Sequence, residues 1–112
     1  MVSSSPTKQE KIIDQIAKDV AALCMDGRKK FFVKIYGLCK DDPQLLFLGI
    51  VRAQKTYIQH HNPTHALKSL VYFSEAEADP MPTLFFDADW EEIKKYFRAE
   101  VAKIAKDLFQ IE

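Results

Sequence analysis

From Ile12 onward the apolar residues of this chain recur three and four positions apart, and that spacing limits the fold more than any other feature. Ile12, Ile13, Ile16, Val20, Leu23 and Cys24 form one such series, and Ile93, Tyr96, Phe97, Val101, Ile104 and Leu108 form another. Residues so spaced line one face of a helix. A helix with one apolar face must bury it against another element. The expectation is an all-α fold, a small helical bundle of four to five helices. The first helix is expected to start at Thr7. Thr7 and Glu10 have capping-box spacing, a hydroxyl for the third amide and a carboxylate that can reach back. Gly27 is a plausible stop, because glycine enters the left-handed region without steric cost.

Between Arg28 and Cys39 the pattern is ambiguous. Phe31, Val33 and Ile35 alternate with Phe32, Lys34 and Tyr36, which suits a strand, whereas Phe32, Ile35, Tyr36 and Cys39 fit a helix face. No comparable strand stands nearby to pair with it, so helix is preferred. Asp42-Pro43 reads as an N-cap with proline at the first helical position. It should open the central helix, ending near His60-His61. A further helix from Pro63 or Thr64 should end near Ala78. Asp79-Pro80-Met81-Pro82 cannot lie inside a helix. Residues 79–88 are therefore expected to form an ordered, extended Pro-rich strap, docked through Met81, Leu84, Phe85 and Phe86. Thr83 to Phe86 could pair briefly as a strand. Asp89 and Glu92 then cap the last helix, with Trp90 largely buried at its start.

The chain should be a disordered tail at 1–6 and one helical domain over 7–112. Acidic and basic residues balance at 16 each, which argues against nucleic acid and anionic membranes as partners. The run Arg28-Lys29-Lys30 reads as a solvated helix start. No apolar run approaches the ~20 residues of a membrane span, and no signal peptide is visible, so a cytoplasmic location is expected. Cys24 and Cys39 lack metal-ligand spacing and read as buried free thiols.

Candidates for chemistry are sparse. His60, His61 and His65 lie close together, and His61 and His65 would share a face on one helix, but Asn62-Pro63 falls between them. A metal site there is an alternative to a polar helix end. Asp87 and Asp89 resemble some magnesium pairs, yet they flank a helix start. Three scattered glycines, Gly27, Gly37 and Gly49, cannot build a phosphate-cradling loop. Arg52 precedes His60 in the same expected helix, which resembles the ribonuclease signature of HEPN-family helical proteins. Seven residues intervene, more than the family spacing, so Arg52 and His60 stand as an alternative catalytic pair. No cofactor is expected.

Residues 66–101 carry a more specific pattern: a helix Lys68 to Phe73, an acidic stretch Glu75 to Asp79, Pro80-Met81-Pro82, then Trp90-Glu91-Glu92 opening a helix. This resembles the C-terminal helical end of AbiEii-type nucleotidyltransferase-like proteins, toxins of abortive-infection systems. The catalytic half of that family has a glycine–serine motif and metal-binding acids, and neither occurs here. The resemblance therefore implies shared helical architecture and a toxin–antitoxin-like setting, without the activity. The expected function is a non-catalytic protein-interaction module. It would pair with itself or with another chain, including a nucleotidyltransferase-like protein. Tyr72, Phe85, Phe86 and Trp90 are the candidate contact residues, since clustered exposed aromatics mark interfaces.

Overall fold

The computed structural model describes residues 7–83 and 88–109. Among them are five α-helices and no strand: α1 (Lys8–Met25), α2 (Lys29–Cys39), α3 (Gln44–Thr56), α4 (Pro63–Ser69) and α5 (Trp90–Phe109). A single 3-10 turn, Ala76–Ala78, lies between α4 and α5. The ambiguous segment is thus the helix α2, which buries Phe32, Val33, Ile35 and Cys39. Expectations for the 1–6 tail, Leu84, Phe85, Phe86, Asp87 and the Leu108 side chain fall outside the described residues.

Thr7 caps α1 as expected, its Oγ1 accepting from the Glu10 amide at 3.0 Å. The reciprocal half of the box is absent, because Glu10 turns to Arg52 Nη2 instead (2.8 Å). Asn62 caps α4 through the Thr64 amide (2.9 Å), with Pro63 at the first position. Asp42 accepts from the Gln44 amide (3.2 Å) ahead of α3. α1 packs on α2, α3 and α4, so the centre of the bundle is the α1–α3 pair rather than α3 alone. Gly49 makes that crossing close. A Cβ there would lie 2.3 Å from Ile16 Cγ2 and 2.8 Å from Ile16 Cβ.

Two helix ends and two further features differ from expectation. α3 ends at Thr56, where the Gln54 side chain donates to the carbonyls of Ile58 and His61 and turns Ile58 into the core. α4 ends at Ser69, whose hydroxyl bonds back to the His65 carbonyl. Beyond Ser69 the chain leaves α-helix geometry, keeps only the 3-10 turn Ala76–Ala78, buries Phe73 and Ala76, and bonds Glu75, Glu77 and Asp79 to other parts of the fold. Gly27 does not occupy the left-handed region; it matters because its N–H meets Glu75. Met81 is exposed rather than docked, and Asp79 instead anchors the strap's start.

The core runs without a break from α1 to α5 and ends in a ring cluster. Phe32 sits 5.1 Å from Phe73, 5.5 Å from Phe97 and 5.7 Å from Trp90, centroid to centroid. The tilted and edge-on geometries are those that ring quadrupoles favour. Both cysteines are free. Cys39 is buried, which pushes its thiol up to about 12.

Candidate interaction surface

Segment 73–79 spends each of its carboxylates on a different part of the fold. Glu75 Oε1 accepts from the Gly27 amide (3.3 Å), in the turn between α1 and α2. Asp79 accepts from Lys29 N and from Arg28 Nη1, both at 3.0 Å. α2 has no cap of its own, so Asp79 supplies one from 50 residues away. Glu77 accepts from Trp90 Nε1 and from Lys94 Nζ, each at 2.8 Å. These two donors, Lys94 first, hold the Glu77 carboxyl below its ordinary 4.5. Lys94 is correspondingly raised, by Glu77 and then Glu91.

Lys29 was expected in solvent, yet it is buried. Its ammonium donates to the Asp79 carbonyl (2.7 Å) and sits 4.8 Å from the Trp90 ring centre. Lys94 approaches the same ring at 5.7 Å. An ammonium taken out of water needs such partners to offset its lost hydration. Trp90 is half-buried, with its ring and its N–H committed within the chain.

Most of the exposed apolar side chains flank the two stretches joined in this way, Gly27 to Lys29 and Glu75 to Asp79. Among the described residues the large hydrophobics that are exposed are Met25 (82%), Tyr72 (57%), Tyr57 (39%), Met81 (37%) and Val71 (36%). Four of these five lie within a few residues of those stretches. Tyr57 is elsewhere, its hydroxyl donating to Asp14 at 2.7 Å. Beside Tyr72 runs a groove of about 300 Å³, also lined by Cys24, His65, Lys68, Ser69 and Glu75. Burial pushes the Cys24 thiol up, against a smaller lowering by its Ser69 hydrogen bond. That leaves Cys24 a poor nucleophile at neutral pH.

The other candidates are dispersed. Arg52 lies within α3 and pairs with Glu10, whereas His60 is exposed in the turn beyond that helix. The single-helix spacing that suggested the pair does not exist. His61 and His65 do meet, their rings edge-on at 4.7 Å. Among the described residues, however, no group of three or more His, Cys, Asp or Glu could hold a metal ion. Of the four proposed contact residues, Tyr72 is exposed, Trp90 is half-buried, and Phe85 and Phe86 are outside the described residues. Met25, Val71 and Met81 escaped the sequence reading. Val71 was expected on the buried face of its helix and Met81 in the docked strap, whereas Met25 lies off the α1 stripe at the helix end. No helix among the described residues is long and apolar enough to cross a membrane. In comparisons with protein-family models, curated proteins and solved structures, nothing matches the chain.

Proposed function

We propose that this protein is a non-catalytic interaction module that works through the end of the bundle bearing Met25, Val71, Tyr72 and Met81. The observation that carries this reading is the concentration of exposed apolar side chains beside the stretches that Glu75 and Asp79 bond together. Exposed methionine and tyrosine are costly in water and are enriched in the cores of interfaces. A surface already ordered before contact loses less entropy on binding. The resemblance of residues 66–101 to the helical end of AbiEii-type proteins makes a nucleotidyltransferase-like chain one partner to look for.

The test is a photo-crosslinking residue placed at Tyr72, compared with one at Tyr57, in cells that make the protein. Both positions are exposed, so reagent access is similar. Crosslinks to protein are expected from position 72 and not from 57. Equal crosslinking at both, or none at 72, would remove the proposal.

A further inference from the structure

Resting on the reading of this end as a contact surface, we infer that its partner is a second copy of the chain. The two copies pair about a two-fold axis, and Tyr72 of each enters the groove of the other. A two-fold interface must be complementary to itself. Here the projecting side chain and the hollow are neighbours: Tyr72 is exposed and also lines the groove. At about 300 Å³ the groove is at the small end of ligand sites, yet roomy for one aromatic ring.

Charge points the same way. The groove wall carries charges of opposite sign, Lys68 and Glu75; Glu75 also lies in the field of Arg28. Glu75 bonds to the uncharged Gly27 amide. A partner of single sign would satisfy one of them and repel the other. A second copy related by a two-fold axis sets Lys68 against Glu75 twice. The whole chain, with 16 acidic and 16 basic residues, has no net charge to keep copies apart. One buried aromatic side chain supplies about 150–250 Å², against about 800 Å² per partner in stable complexes. Pairing is therefore reversible and depends on concentration.

Sedimentation of the purified full chain from about 1 μM to about 1 mM tests this. A monomer–dimer equilibrium is expected. Tyr72→Glu should weaken it roughly 10-fold or more, as for an aromatic anchor at an interface centre. Lys68→Glu should also weaken it, while Lys68→Arg should leave it intact. Both side chains are exposed or on the groove wall, and circular dichroism reports whether each variant folds; Lys68→Glu decides the matter if Tyr72→Glu does not fold. Hydrogen exchange should show protection at 24–27 and 65–72 that rises with protein concentration. A monomer throughout, a dimer indifferent to both substitutions, or protection confined to other segments overturns the inference. If the chain stays monomeric while position 72 crosslinks a different protein, self-pairing fails and the contact surface stands. If position 72 crosslinks nothing, both fail.

Discussion

Where α1 crosses α3 the contact is apolar and close, with Ile16 fully buried against the bare backbone of Gly49. At the junction around Trp90 the contact is made by directed polar groups: three carboxylates, two lysines and an indole N–H. The first region depends on volume. Its energy scales with area removed from water and is indifferent to direction. The second depends on individual atoms, because a buried donor that loses its acceptor bears the full desolvation penalty. Substitutions that alter size should therefore act mainly at the crossing, and substitutions that alter a single polar atom mainly at the junction.

The largest effect is expected in the ring cluster that packs beneath the junction. Phe32 is fully buried and touches Phe73, Phe97 and Trp90. Phe32→Ala should cost about 3–5 kcal/mol in urea unfolding. Trp90→Ala should cost less, because Trp90 is only half-buried. An equal or reversed order would mean that the polar half of the junction outweighs its ring packing. Next comes Gly49→Ala. Alanine favours helix by about 1 kcal/mol over glycine, yet the added methyl would strike the stiff β-branched Ile16 at 2.3 Å. A net loss of about 1–3 kcal/mol is expected, as for overpacked cores. A gain in stability would show that Ile16 moves aside at little cost.

Asp79→Ala should cost about 0.5–2 kcal/mol, the range for a lost helix cap. Asp79→Asn, which keeps an acceptor for the Lys29 amide, should cost less. If the two are equal, the Arg28 charge pair matters more than the cap. The smallest effect is in acid. The folded Glu77 carboxyl lies below its ordinary 4.5, so the folded state binds fewer protons there than the unfolded chain. Its contribution is complete above 4.5 and is lost as pH falls through the folded value. Glu77→Gln should flatten part of the acid loss seen in urea midpoints, and it should leave the remainder due to Asp14, which Tyr57 holds low in the same way. An unchanged profile would assign the acid sensitivity to other carboxylates.

The helices were legible in the sequence because their signals are local. Thr7, Asn62 and Asp89 cap through amides two or three residues on. The stripe Ile93, Phe97, Val101 and Ile104 is buried as its spacing predicts. Tyr72 and Phe73 show where this ends. Adjacent and alike as aromatics, one is 57% exposed and the other is packed against Phe32. Their helix was expected to reach Ala78, and a helix places neighbours by rotation alone. The chain instead turns after Ser69, so that rule no longer applies.

What the sequence by itself determined is the all-α class, the order of the helices and most of the buried face of each, since periodicity and capping need only a few neighbouring residues. The tertiary structure alone decided that Lys29 is inside, that Gly27 meets Glu75, that Asp79 caps α2 and that Glu77 holds Trp90 to Lys94. The Gly27, Lys29 and Arg28 contacts join residues 48 to 51 positions apart. A carboxylate in sequence looks the same whether it is solvated or spent. Only the closing of the chain brings it to the donor that compensates a buried charge, and with that closing Met25, Val71, Tyr72 and Met81 are left facing water.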